Sequence, residues 1–391
     1  MAEIAFIGVL IAFLASLIVV TWSHPMVRKV AVKRNIVDNP DARKLQKSPV
    51  PVMGGVAVFF GLVTGLCVMS LFMDTSSLLP VFVAMSLMLC VGVMDDVSGL
   101  SPWLRFVIEI MVVVMLIFTT DISLNHLHAL WGFYNLPGWL SIPLTIVAVV
   151  GMINALNLID GVDGLSSGFC MIASIAFGIL FYLIGNEVMM ALCAVVVASL
   201  LPFFLHNVFG KSSKMFIGDG GSLMMGVVMS SYVVEAIAYR GSFSYAMPEG
   251  MGTVAFTMAV MAVPVFDTLR VMIMRIVRGV SPFHPDKTHL HHLFIDLGFS
   301  HIGTTLSVLS LNLLVMLAWF ITYKAGGSID LQFYVVVGCS ILVTAVFYKF
   351  MRVQMTRNTA IAQLMRRIGE FTHCERRSSW VRLQEVMDLR K

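Results

Sequence analysis

The stretch "LLPVFVAMSLMLCVGVM", Leu78 to Met94, holds seventeen residues without a formal charge and then meets two adjacent carboxylates, Asp95 and Asp96. A helix rises about 1.5 Å per residue, so about 20 mostly apolar residues cross the hydrocarbon core of a bilayer. Eleven candidate spans recur, roughly at 3–22, 53–73, 78–95, 103–120, 138–155, 165–185, 187–205, 221–239, 250–270, 303–323 and 330–350. Only 12% of the 391 residues are charged, against roughly 25% in a soluble domain, so a soluble globular class is excluded. The fold expected is all-α and polytopic, with a transmembrane catalytic domain over 1–350 and a basic tail over 351–391. The opening "MAEIAFIGVLIAFLASLIVVTW" has no basic leader and no small-residue cleavage site, and reads as a retained span. Ahead of the fifth span, "DISLNHLHALWGFYNLPGW" is polar and aromatic, which suits an interfacial or re-entrant segment. Cys67, Cys90, Cys170, Cys193 and Cys339 lie in apolar runs, where cysteine acts as a small hydrophobe.

Eleven spans place the termini on opposite sides. Of the 26 Lys and Arg, all but Arg240 and Lys324 then fall on one side. Positive charge marks the cytoplasmic side, so the N-terminus is expected outside and the C-terminus inside. The outer loops, such as "MDTSS" and "KAGGSID", are short and plain; the inner ones are not. In the tail, Ile361, Leu364, Met365 and Ile368 recur at i, i+3, i+4 and i+7 beside Arg366 and Arg367. That pattern suits a helix on an anionic leaflet; a solvated tail is the alternative.

Five polar constellations occupy the inner side. Asp95 and Asp96 close a helix, where the macrodipole disfavours acids, so a cation or proton is expected to relieve them. In "NALNLIDGVDGL", Asn157, Asp160 and Asp163 share helical spacing, but Gly161 and Gly164 point to a break that lets backbone approach a ligand. In "FIGDGGS", Asp219 stands near a helix start among glycines whose N–H groups suit an anion; a plain cap is the alternative. In "SPFHPDKTHLHHLF", His289, His291 and His292 fall within four residues, close to Arg270, Arg275, Arg278 and Lys287. With neither an HExxH motif nor a nearby cysteine, this cluster suits a polyanion better than zinc. In "RNIVDNPDARKLQKSPVPVMGG", Asp38 and Asp41 mix with Arg43, Lys44 and Lys47, either as a positive-inside loop or as a phosphate contact. Glu109 and Glu235 lie inside spans and receive no role. Carboxylates gathered with basic residues on one face fit metal-assisted phosphoryl chemistry.

The motifs "MDDVSG", "NALNLIDGVDGL", "FIGDGGS" and "HLHHLF" together resemble the signature segments of the polyprenyl-phosphate N-acetylhexosamine-1-phosphate transferases, from about Asp38 to about Phe350. The H-x-H-H form resembles the bacterial undecaprenyl-phosphate N-acetylglucosaminyl branch rather than the phospho-N-acetylmuramoyl-pentapeptide branch. The resemblance implies a multi-pass enzyme of the bacterial cytoplasmic membrane, with its active site on the cytoplasmic face. It would use Mg2+ or Mn2+, act on UDP-N-acetylglucosamine and undecaprenyl phosphate, and catalyse the first membrane step of a cell-surface polysaccharide. It implies Asp219 as metal ligand with Asp96 and Asn157 beside the metal–diphosphate, and Asp95 at the lipid phosphate. Asp160 and Asp163 would shape the nucleotide side. His289, His291 and His292 match the loop that contacts the uridine diphosphate, and Asp38 matches an acid of the first inner loop; Arg275 is expected to bind substrate from its place beside that basic loop. Nucleic acid is not an expected partner, and a homodimer is an expectation of the family alone. The segment after Asp96 reads Val97, Ser98, Gly99, so no third acid completes a DDxxD clamp, which argues against a prenyl-diphosphate enzyme. A cation-coupled transporter is compatible with many helices and with Glu109 and Glu235 inside spans, but it predicts ionisable groups near the midplane and often repeats; here the ionisable groups concentrate at one face and no internal repeat is obvious.

Overall fold

Each of the eleven apolar stretches contains helix in a computed structural model, which describes residues 2–39, 49–238, 248–282, 284, 286–374 and 378–388. The chain runs α1 (Ala2–Lys33), a two-residue hairpin of β1 (Val37–Asp38) and β2 (Val50–Pro51), α2 (Gly54–Met69), α3 (Leu79–Ser98), α4 (Pro102–Thr120) and α5 (Gly138–Ile159). It continues through α6 (Leu165–Leu183), α7 (Glu187–Phe209), α8 (Gly218–Ile237), α9 (Thr253–Val260), α10 (Ala262–Val277) and α11 (Leu290–Asp296). Next come α12 (His301–Lys324), α13 (Ile329–Ile341), α14 (Phe347–Thr356), α15 (Ala360–Phe371) and α16 (Ser378–Asp388). Among the described residues, nine helical stretches are long and apolar enough to cross a membrane.

Two of the eleven expected spans differ from full-length helices. The 53–73 stretch yields the 16-residue α2. The 250–270 stretch breaks at Met261, between α9 and α10. Pro264 explains the break: it lacks an N–H, and its ring clashes with the carbonyl four residues back, at Val260. The freed groups are met by Asn312 of α12, whose Oδ1 accepts the Val263 N–H (2.9 Å) and whose Nδ2 donates to the Val260 carbonyl (3.0 Å). An irregular backbone is tolerated at membrane depth only with such partners. The fifth span is a complete helix, and the polar stretch before it is a loop pinned by a bridge between His126 and Asn135.

At the centre stands α8, with 83% of its apolar window buried inside the protein, against 28% for α1. Small residues let it sit there. A Cβ on Gly92 of α3 would lie 2.3 Å from the Gly220 Cα, so α3 and α8 touch backbone to backbone. The segment entering α8 is held by the first loop: Phe216 donates to the Pro51 carbonyl, and Gly54 and Gly55 donate to the Phe216 and Ile217 carbonyls, each at 2.8 Å. In the tail, α15 buries Ala362 and Gly369 against the protein and exposes Ile361, Leu364, Ile368 and Phe371.

Candidate active site

The C-termini of α3, α5 and α10 and the N-termini of α4, α6, α8 and α12 meet at one end of the bundle, as alternating helices require. There the expected acids come together. Gly99, with φ of +68°, ends α3 just past Asp95 and Asp96. The Asp95 carboxylate accepts the Leu100 N–H (2.6 Å) and pairs with Arg105 Nη1 (3.1 Å). Arg105, in the first turns of α4, also lies 3.6 Å from Glu109 and 3.8 Å from Asp219. Asp96 accepts the Asp219 N–H (3.1 Å) and the Gly220 N–H (3.4 Å), so it caps α8 from another helix. The dipole and the unpaired N–H groups of α8 favour an anion at that point. Each of the two acids thus has a partner within the chain, Arg105 for one and the start of α8 for the other.

Asp219 is more open than Asp95 or Asp163. Its side chain is 38% exposed, against 13% for Asp95 and 10% for Asp163. Its Oδ1 accepts from Asn157 Nδ2 (2.7 Å), which also reaches Ser222 (2.9 Å). Asp160 ends α5; burial and the carboxylates of Asp219, Asp96 and Asp163 push its carboxyl well above the usual range.

Asp163 lies in the turn between α5 and α6, which Gly164 completes at φ +75°. Lys214 Nζ (2.5 Å) and His301 Nδ1 (2.7 Å) hold it. Burial alone would raise this carboxyl, but His301 and Lys214 outweigh burial and keep it low. Asn207 braces the turn, accepting the Gly164 N–H (2.6 Å) and donating to the Met215 carbonyl (2.9 Å).

The histidine loop reaches the same turn. His291 packs on Gly161, where a Cβ would stand 2.9 Å from its Nε2. The rings of His289 and His291 stack at 5.8 Å, and His292 follows at 4.3 Å from His291. Burial, reinforced by the neighbouring histidines, holds His291 far below its ordinary value and His292 at about 4. Both are neutral near pH 7. His289 Nδ1 bonds Asp267 (2.9 Å), while its buried Nε2 has no hydrogen-bond partner among the described residues. Arg270 joins Asp267 to the Thr288 carbonyl (2.6 Å to each) and lies over the Tyr348 ring. Arg275, 4% exposed, is engaged by Asp286 (3.0 Å) and by the Pro282 carbonyl (2.6 Å), so it builds the loop from within. Asp38 lies in β1, one strand away from the segment entering α8. Asp41, Arg43, Lys44 and Lys47 lie outside the described residues, as does Arg240.

Arg105, Lys214, His301, Asp267 and Asn207 escaped the sequence reading. Two carried a signal: Arg105 and Glu109 are spaced i, i+4, and Asp267 and Arg270 i, i+3, each an ion pair inside an apolar run.

The glycosyl transferase family 4 model matches residues 78–237, from α3 through α8. A Bacillus subtilis (strain 168) protein named "Probable undecaprenyl-phosphate N-acetylglucosaminyl 1-phosphate transferase" is 31% identical over 303 residues, 75% of this chain and 79% of that protein. A Yersinia pestis undecaprenyl-phosphate alpha-N-acetylglucosaminyl 1-phosphate transferase is 32% identical over 298 residues, 74% of this chain and 78% of that protein. The chain belongs to the polyprenyl-phosphate N-acetylhexosamine-1-phosphate transferase family. As a member of that family it is a multi-pass membrane enzyme that transfers a sugar 1-phosphate. The family match spans Asp95, Asp96, Asn157, Asp160, Asp163 and Asp219, while the histidine loop lies beyond it.

Proposed function

We propose that this transferase moves N-acetylglucosamine 1-phosphate from UDP-N-acetylglucosamine to undecaprenyl phosphate, giving undecaprenyl-diphosphate-N-acetylglucosamine and UMP. The observation that carries this reading is the meeting of Asp95, Asp96, Asn157 and Asp219 with Arg105 at the bundle end that also holds the histidine loop. The names of the relatives support the acceptor lipid phosphate and the transferred group, and the uridine diphosphate donor is our own reading of the site. An oxygen of the lipid phosphate attacks the β-phosphorus of the nucleotide sugar, and the bond from that phosphorus to the bridging oxygen breaks, releasing UMP. A phosphate monoester is already largely ionised near neutral pH, so no base is required, and Asp95 acts by holding Arg105, whose guanidinium orients the nucleophile. The neutral histidines offer hydrogen bonds to the uridine diphosphate, and Arg275 fixes the loop that presents them.

Mg2+ or Mn2+ fits the donor set. The atoms are hard oxygens, and Asp219 is an exposed carboxylate with the Asn157 amide beside it. Such an ion commonly takes one or two protein carboxylates and completes its shell with phosphate oxygens and water. Asp219 and Asn157 would hold it, with Asp96 fixing the start of α8 under them. Bound there, it supplies charge neutralisation to the diphosphate. The positive-inside rule supports a cytoplasmic active site and an outward N-terminus, in the bacterial cytoplasmic membrane. The exposed apolar stripe of α15 beside Arg366 and Arg367 supports a seat on the inner leaflet.

The test is UMP release by membranes given undecaprenyl phosphate and labelled UDP-sugars, with and without EDTA. Chelation is expected to abolish release, and Asp219→Asn to cut it by about a hundredfold or more. Activity insensitive to both would sink the reading. Turnover of UDP-muramoyl-pentapeptide instead would assign the sister branch.

A further inference from the structure

Asp163 draws its two partners from distant parts of the chain: Lys214 from the loop before α8 and His301 from the start of α12. The C-terminal tail lands beside both. In α16, the Asp388 carboxylate accepts three successive backbone N–H groups, from Lys211 (3.3 Å), Ser212 (3.1 Å) and Ser213 (2.9 Å). Consecutive N–H groups aimed at one anion form a nest, and this one ends at the residue before Lys214. Trp380, 9% exposed, packs on Phe209 with ring centroids 4.8 Å apart, anchoring α16 to the helix that feeds the same loop.

The second landing point follows α15. Thr372 Oγ1 accepts the Ser300 N–H (2.9 Å), and Ser300 Oγ donates to the Thr372 carbonyl (2.8 Å). Ser300 is the N-cap of α12 and immediately precedes His301. The fit is close, since a Cβ on Gly303 would stand 2.4 Å from Thr372. His373 adds a bond to the Gly298 carbonyl (3.1 Å). A tail expected only to lie on a leaflet or in solvent has no need of these contacts.

We propose that the C-terminal segment is a strap that sets the grip on the nucleotide sugar by positioning Lys214 and His301 against Asp163. Asp388 and Thr372 are its positioning residues. Asp388 fixes the loop that presents Lys214, and Thr372 fixes the helix cap that presents His301. This rests on the reading that Asp163 shapes the nucleotide side of the site. A strap of this kind acts on substrate affinity and leaves the lipid phosphate, on the Asp95 and Arg105 side, untouched.

The experiment uses the full-length protein in nanodiscs, with Asp388→Ala, Asp388→Glu and Thr372→Val. Asp388→Ala is expected to raise the KM for UDP-N-acetylglucosamine about three- to tenfold, the scale of a lost charge-assisted cap. It should leave kcat and the KM for undecaprenyl phosphate within about twofold, and Asp388→Glu should restore most of the loss. Hydrogen exchange is expected to rise at Lys211–Ser213 and also across the 160–164 turn, passed on through Lys214. An unchanged KM, or faster exchange confined to 211–213, would show a contact that only holds the tail. A lower KM would show instead that Asp388 competes with a substrate phosphate for the nest, and would equally overturn the strap. If the wild type released no UMP from UDP-N-acetylglucosamine, the functional reading alone would fall, and exchange across 160–164 would still decide the strap.

Discussion

Carboxylates at the end of an apolar helix need partners, and four of the acids at this site find different kinds. Asp95 has a guanidinium, Asp96 the N-terminus of another helix, Asp163 a lysine and a histidine, and Asp219 an amide, the more distant Arg105 and partial exposure to solvent. The difference matters because a carboxylate already paired and capped is a scaffold, whereas an exposed one can accept a ligand. Gly161 shows how narrow the tolerance is. Its missing side chain is the space in which the buried His291 ring lies. Gly161→Ala is expected to displace that ring and to lower kcat/KM for the nucleotide sugar by about ten- to a hundredfold, as small displacements in an active site do. Some loss of stability is expected too, because the His291 ring is buried, so UMP release per folded protein, with the melting temperature measured alongside, separates the two effects.

At the scale of the helix, glycine rather than charge brings the acids into register. Asp96 can cap α8 only because Gly92 and Gly220 let the two backbones touch. Neither helix can yield to a side chain there, since the atom a Cβ would strike is main chain. Gly92→Ala is expected to destabilise the protein by about 1–3 kcal/mol, the usual cost of overpacking a tight contact. Loss of the Asp96 cap should follow, so thermal unfolding in detergent and UMP release should fall together. An unchanged melting temperature would show that α3 and α8 part more readily than the contact implies. The break between α9 and α10 is of the same kind: Pro264 removes hydrogen bonds and Asn312 replaces them from a neighbouring helix.

At the scale of the molecule, the proposed orientation makes a direct prediction about access. Ser76 starts the turn into α3, and Ser328 caps α13, both at the end opposite the acids. In a cysteine-free background, a cysteine at either position should react with an impermeant maleimide in intact cells. One at Ser212, in the loop before α8, should react only after permeabilisation. The reverse pattern would place the acids on the outer face and refute a cytoplasmic site. The paired ends follow from the alternation of helices, so one labelled position on each side tests the whole arrangement.

Hydropathy by itself determined that this chain is a polytopic helical membrane protein, because crossing a bilayer imposes a local requirement of about 20 apolar residues that no packing can override. Local spacing likewise exposed the acids and histidines, since polar clusters between apolar runs have few structural uses, and the break at Gly161 and Gly164 was legible from glycine alone. Partner choice was not legible. Lys214 meets Asp163 across 51 residues and Asp388 meets Ser212 across 176, and nothing in local periodicity encodes such pairings. Nor could it separate the exposed Asp219 from the capping Asp96, two acids with the same neighbours in kind. Only the packing of α3 on α8 decided that, because whether a carboxylate caps or stays open depends on which backbone N–H groups another helix brings within hydrogen-bonding reach.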